Sequence, residues 1–158
     1  MEFRKITPDN VWKIVKVRVA PEQEDFVASN AESLIEAFAA REAGFVALPF
    51  GIYEGETPVG FFMLGYGRIG DEEEPSVAEG NYCLWRFLIG AEFQGKGYGR
   101  RALEMILDYI RTFPVGKADA VWLSYEPENT RAKALYASFG FEENGETDGD
   151  ELVAVLKL

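Results

Sequence analysis

The segment Gln94-Gly95-Lys96-Gly97-Tyr98-Gly99-Arg100-Arg101 gathers three alternating glycines and three basic side chains within eight residues. Residues without a Cβ let consecutive main-chain N–H groups turn toward one point, and a helix following them adds its positive N-terminal end. Such a turn is a seat for a pyrophosphate. Lys96, Arg100 and Arg101 bring positive charge into an otherwise acidic chain, which favours an anion there. The plainer reading is a tight strand-to-helix connection. Two known phosphate loops do not fit. No G-x-x-x-x-G-K-[ST] run occurs, and the dinucleotide pattern G-x-G-x-x-G, started at Gly95, needs glycine where Arg100 stands.

The rest of the chain narrows the chemistry by what it lacks. There is no histidine and Cys83 is the single cysteine. Zinc sites, Ser/His or Cys/His nucleophile pairs and an internal disulfide are therefore excluded, and no metal is expected. Catalysis has to come from carboxylates, tyrosine, lysine, arginine, main-chain amides or a bound cofactor. With 27 acidic and 16 basic side chains the net charge is −11 at pH 7. That balance argues against a nucleic-acid partner and for simple solubility or cationic partners. The proportions of 47% hydrophobic and 27% charged residues are those of a folded, soluble chain. The length suits one domain over residues 1–158. Met1 to Lys5 lacks the apolar stretch of a signal peptide, and the most apolar run, Gly60 to Tyr66, is too short for a bilayer. A cytoplasmic protein with no membrane partner is the expectation.

Several elements have to position the glycine segment. Phe3 to Ile6 suits a short strand. Thr7-Pro8 reads as a helix start, a hydroxyl N-cap followed by a proline whose missing N–H costs nothing there, with Val11, Ile14 and Val15 on the helix. An acidic connection from Pro21 to Phe26 leads to Ser29 and Glu32, spaced as a capping box, and to a second helix with Leu34, Ile35 and Phe38 on one side. From Phe45 the pattern turns β-rich, and two strands ending at Tyr53 and starting at Pro58 make a hairpin around Glu54-Gly55-Glu56. After a solvated loop at Asp71 to Pro75, Tyr82 to Ile89 is almost continuously apolar or aromatic, as in a central strand covered on both faces.

Tyr98 to Phe113 has helical periodicity through Leu103, Ile106, Leu107 and Ile110. Ala120 to Tyr125 reads as a buried strand and Asn129 to Ser138 as a helix stopped by Gly140. Strands near Phe141 to Glu146 and Leu152 to Leu158 join through Asp148-Gly149-Asp150. The alternation from Tyr82 onward predicts a mostly parallel crossover region attached to an antiparallel front half, hence a mixed α/β sheet.

Gln94, Gly97 and Gly99 fill the pattern Q/R-x-x-G-x-G/A. Asn129, Ala132, Leu135 and Tyr136, followed by Gly140-Phe141, fill N-x-x-A-x-x-L-Y-x-x-x-G-F. On these residues the sequence resembles the GNAT superfamily of N-acetyltransferases, with order and spacing in agreement from Tyr82 to Phe141. The resemblance implies a mostly antiparallel sheet flanked by helices and splayed between its two central parallel strands. It implies acetyl-CoA as co-substrate, its pyrophosphate held by Gln94, Gly95, Lys96, Gly97, Tyr98, Gly99 and Arg100. The main chain of Phe87, Leu88 and Ile89 would be left partly unpaired and bind the co-substrate as a missing strand would, one N–H polarising the thioester carbonyl. Asn129 would both cap its helix and reach the pantetheine. The amine would attack directly in a ternary complex, which needs no enzyme nucleophile.

Within that resemblance Tyr136 is the acid for the departing thiolate, a phenol having a pKa of about 10. The plainer reading of Tyr136 is a core aromatic in register with Ala132 and Leu135. The base stays open. Where many relatives place a glutamate on the central strand, this chain has Trp85, Arg86 and Phe87. That leaves Glu126, Glu24 or Glu79 acting through water, or bulk water itself.

Two acidic groups, Glu22, Glu24 and Asp25, then Asp71 to Glu74 with Glu79, are either solvated surface or the seat of a small polycation. Glu24, Asp25 and Phe26, with Tyr82 and Trp85, suit an amine with methylene segments, carboxylates taking the ammonium ends and rings covering the hydrocarbon. Residues 23–30, 85–87 and 125–129 together resemble bacterial spermine/spermidine N-acetyltransferases, which implies a polyamine acceptor. An aminoglycoside-like compound or a protein N-terminus would also serve, and a non-catalytic acyl-CoA-sensing module is the contrasting class. The oligomeric state is not readable from the sequence, although exposed sheet edges of such a fold often pair, which leaves a homodimer open.

Overall fold

The computed structural model describes residues 1–158. The chain contains seven strands, β1 (Glu2–Lys5), β2 (Val46–Glu54), β3 (Thr57–Tyr66), β4 (Tyr82–Ile89), β5 (Ala120–Tyr125), β6 (Glu142–Asp148) and β7 (Glu151–Lys157), and four α-helices. The helices are α1 (Val11–Ile14), α2 (Asn30–Glu42), α3 (Tyr98–Arg111) and α4 (Thr130–Ser138). The strands form one sheet in the order β1-β2-β3-β4-β5-β7-β6, so β4 is the middle strand.

One face of the sheet carries α3 and α4. Leu103, Ile106, Leu107 and Ile110 of α3 are all buried against Phe62, Leu64, Tyr82 and Val121, as their helical spacing predicts. Each such side chain contributes about 1.5–3 kcal/mol relative to leaving it in water. The opposite face carries α1 and α2, with Ile14, Val17 and Ala37 packed on Tyr53, Phe61, Met63 and Leu88.

Three expectations change on contact with the structure. Regular helix α1 covers only Val11–Ile14, and its N-cap is Asn10, not Thr7. The Asn10 side chain accepts a hydrogen bond from the Thr7 N–H (2.9 Å) and donates to the Lys5 carbonyl (2.9 Å), closing a turn before the helix begins. On α2 the capping box of Ser29 and Glu32 forms as expected, but Ile35 and Phe38 lie outward, 69% and 67% exposed. The buried face is instead Asn30, Ser33 and Ala37 with Leu34 alongside. Small residues bring α2 close to the sheet, and Asn30 donates to the Ile14 and Val17 carbonyls (2.9 and 3.1 Å), tying α2 to the end of α1. The second half is not mostly parallel. β4 and β5 are the one parallel pair, because α4 returns the chain to an outer hairpin whose second strand, β7, inserts antiparallel beside β5.

Candidate active site

The site begins as an error in strand register. β3 and β4 pair Met63 with Arg86 and Leu64 with Leu84, leaving Trp85 as an extra residue in β4. Such a bulge bends a strand and increases its twist. On its other side β4 pairs with β5 only at Tyr82–Val121 and Cys83–Trp122. Beyond Cys83 the two parallel strands diverge, and the main chain of Phe87, Leu88 and Ile89 has a strand partner in β3 but none in β5. The sequence expectation of a splayed sheet is met. The bulge that bends β4 was not expected, because nothing in an apolar run distinguishes a bulged residue from its neighbours.

The glycine loop closes one end of the split. Gly95 and Gly97 have φ of +73° and +83°, in the left-handed region, and Gly97 is the N-cap of α3. A Cβ at either would meet no atom within 4 Å, so the backbone conformation, and not crowding, calls for glycine there. The Gln94 side chain is spent on the protein. Its Nε2 donates to the Ile89 carbonyl (2.9 Å) and to Gln23 Oε1 (2.8 Å), pinning the loop to β4 and to the segment before α2. Arg100 donates to Ser138 Oγ (2.8 Å) and lies 5.0 Å from the Phe139 ring centroid, joining the start of α3 to the end of α4.

α4 begins at Asn129, whose Oδ1 accepts from the Ala132 N–H at 3.3 Å. Two helical turns further, Tyr136 stacks on Tyr125 (6.1 Å between centroids) and meets Phe141 edge-on (5.8 Å). Tyr136 is 9% exposed and lines the cleft, and its hydroxyl makes no hydrogen bond within the protein. Burial first, and then the negative charge of Glu151, push its pKa well above the usual phenol value, so it is protonated throughout the neutral range. The Tyr125 hydroxyl differs, since it donates to Glu143 (2.7 Å), and burial with that carboxylate pushes its pKa up to about 12.

Loop, split and tyrosine open into one cleft of about 860 Å³. Glu24, Asp25, Glu32 and Glu36 line it from the α2 side, and Asp71, Glu74, Asp148 and Glu151 from the side of β7, against the cations Arg86, Arg100 and Arg131. Arg86 is neutralised by Glu36 at 2.7 Å. Burial raises the pKa of Asp148 and of Glu151, with neighbouring acids adding to it.

Most residues expected at the site meet in this cleft. Glu24, Asp25, Phe26, Trp85, Phe87, Leu88, Ile89, Gln94, Gly95, Gly97, Gly99, Arg100, Asn129 and Tyr136 all line it. Four do not. Tyr82 is 0% exposed, its hydroxyl donating to the Gly116 carbonyl and accepting from the Val115 and Gly116 N–H groups, so it holds the loop after α3 and cannot touch an acceptor. Lys96 donates to the Glu92 carbonyl on the outer side of the loop, and Tyr98 packs edge-on against Phe93, both off the cleft wall. Glu126 is also off the wall, its carbonyl accepting from the Asn129 N–H in the turn into α4. Glu79 pairs with Arg68 at 2.9 Å on the surface. Sequence reasoning overlooked Arg131, Ser124, Asp148 and Glu151. Ser124 carried a signal, as the lone polar residue of a buried strand, whereas Asp148 and Glu151 looked like ordinary turn acids.

The open edge of the middle strand, the glycine loop at a helix start and Tyr136 line one cleft, an arrangement suited to acyl transfer. The sequence profile of the Acetyltransferase (GNAT) family matches residues 14–141, and the chain belongs to that family. It is an N-acetyltransferase that acts on amines with acetyl-CoA as co-substrate. The spermine/spermidine N(1)-acetyltransferase of Bacillus subtilis (strain 168) is 31% identical over 159 residues, covering 100% of this chain and 99% of that protein. The ribosomal protein bS18-alanine N-acetyltransferase of Escherichia coli (strain K12) is 27% identical over 116 residues, 69% of this chain and 76% of its own. The fold is also that of the aminoglycoside acetyltransferase AAC(6')-Ib solved with coenzyme A and kanamycin, with a TM-score of 0.76, 18% identity and coverage of 98% and 93%. No helix is long and apolar enough to cross a membrane.

Proposed function

We propose that the chain acetylates a primary amine of a small polycation of the spermidine and spermine class. The observation that carries this reading is a cleft with acidic side chains on both walls meeting the open edge of β4 at the Trp85 bulge. The full-length relative named for spermine and spermidine supports it.

The residues present suit acetyl-CoA. The unpaired main chain of Phe87 to Ile89 offers N–H and C=O groups to the pantetheine amides, and a β4 N–H polarises the thioester oxygen. The amides around Gly95, Gly97 and Gly99, at the positive start of α3, take the pyrophosphate with Arg100 and Arg131 nearby. Asn129 is placed by its capping role at the same wall. Glu24, Asp25, Phe26 and Trp85 receive the amine. As C–N bond formation expels the thiolate, Tyr136 donates its proton to the sulfur. The amine proton passes to water or, through water, to Glu24, the one carboxylate among those considered as base that lies on the cleft wall.

Thiol release from acetyl-CoA across an amine panel tests this reading. Turnover with spermidine and spermine, exceeding that with kanamycin and with an alanyl peptide, is expected. Equal or greater turnover of the aminoglycoside or the peptide, or none with any polyamine, overturns it.

A further inference from the structure

The wall of the cleft formed by β5, β7 and the loop after β3 contains a group of acids that the acetyl transfer itself does not employ. Asp148 and Glu151 stand opposite each other across the β6–β7 turn, and both side chains converge on Ser124 of β5, whose Oγ lies 2.5 Å from Glu151 Oε2 and 3.4 Å from Asp148 Oδ2. Glu74 approaches from the loop before β4 with a side chain only 3% exposed. Its Oε1 accepts from the Ile69 N–H at 2.6 Å, while its buried Oε2 has no hydrogen-bond partner. Arg68, the nearest cation, is 3.9 Å away and is itself bonded to Glu79.

A carboxylate oxygen stripped of water and left without a donor is costly, and two half-buried acids beside it compound the cost. An alkylammonium supplies what the pocket lacks, a full positive charge and three N–H donors. The charge of Glu151 is felt at the Tyr136 hydroxyl, so this pocket and the reacting centre share one cleft.

We infer that Glu74, Asp148 and Glu151 form a subsite for a second, non-reacting ammonium of the acceptor, which makes the enzyme selective for amines carrying two or more cationic centres. The inference rests on the proposed polyamine acetylation and sharpens it: a monoamine, however well it fits the reacting end, leaves the pocket unfilled. Ser124 holds Glu151 toward the cleft as a positioning residue.

The test compares putrescine with n-pentylamine, in which a methyl group replaces the far ammonium. Wild-type kcat/KM for putrescine exceeds that for pentylamine, and in the D148N/E151Q variant the ratio of the two falls by about 10- to 100-fold, the usual worth of charge-assisted hydrogen bonds. E74Q shifts the ratio the same way, and the change sits in KM for putrescine. Affinity for coenzyme A, measured by calorimetry on the same variants, verifies that they are folded. A wild type that does not distinguish the two amines, or variants that lose kcat equally for both, overturns the subsite while leaving acetylation intact; the second result would make Glu151 a proton acceptor. If no amine is acetylated at all, the acetylation reading fails by itself. Calorimetry of the coenzyme A complex with putrescine then decides the pocket, weaker binding by D148N/E151Q upholding it and equal binding overturning it.

Discussion

Tyr136 combines two properties that are separately ordinary. It is packed as a core aromatic between Tyr125 and Phe141, and its hydroxyl is left without a protein partner at the cleft. The core-packing reading of this residue holds, and packing leaves the hydroxyl free for the acid role proposed for it. Tyr136→Phe keeps the packing and removes the acid. We expect kcat to fall by about 10²–10⁴-fold, as for loss of a positioned general acid, with affinity for acetyl-CoA unchanged within about twofold. Retention of full turnover where chemistry limits the rate would remove Tyr136 from the reaction. Because burial and the Glu151 charge hold the phenol above its usual pKa, no loss of rate through phenol ionisation is expected across the neutral range. Glu151→Gln removes the repelling charge, so the alkaline limb of a kcat–pH profile should move to lower pH.

At the scale of elements, the loop and α3 work as one unit. Gly97 ends the loop and caps α3 with φ at +83°. Gly97→Ala meets no steric neighbour, so its cost is that of a side chain in the left-handed region, about 1–2 kcal/mol. In a chain of 158 residues this lowers the melting temperature by roughly 2–4 °C per kcal/mol. The same change misdirects the amides proposed to face the pyrophosphate, so KM for acetyl-CoA should rise together with the loss in Tm; a variant with unchanged KM would separate the loop from co-substrate binding. The capping box on α2 offers a contrast. Ser29 Oγ accepts from the Glu32 N–H (3.2 Å) and Glu32 returns a bond to the Ser29 N–H (2.8 Å). Ser29→Ala should cost about 1 kcal/mol in denaturant unfolding and release the Glu32 carboxylate into the cleft. These elements were legible in the sequence because their causes are short-range. Caps, glycine conformations and helical periodicity involve residues within a turn or two of each other. The outward placement of Ile35 and Phe38 was not legible, since a period shows which residues share a helix face but not which face the sheet will accept.

Over the whole molecule, charge sets both stability and attraction. Asp148 and Glu151 have folded pKa values above their usual ones, so the folded chain binds more protons than the unfolded one from the ordinary carboxylate range upward. Their contribution to stability therefore declines as pH rises through that window and is fully unfavourable above it. The D148N/E151Q variant should melt higher than the wild type at pH 7 to 8, with the gap closing below pH 4; a lower melting temperature at neutral pH would contradict the cause given for the shifts. The net charge of −11 draws polycations from a distance. kcat/KM for spermidine should fall severalfold between about 20 and 200 mM salt while that for a neutral amine analogue stays flat, because screening shortens the reach of the field. The amino-acid order alone determined the glycine loop, the helix that follows it, the motif around Asn129 and Tyr136, and through these the family, since each is encoded by neighbours along the chain. Tertiary structure decided which of the many acids meet in the cleft. The order β4-β5-β7-β6 brings Asp148 and Glu151 beside Ser124 and Glu74 from distant parts of the chain, and the bulge at Trp85 bends β4 away from β5. Contacts across such separations depend on strand order and register, which leave no local period for a sequence to display.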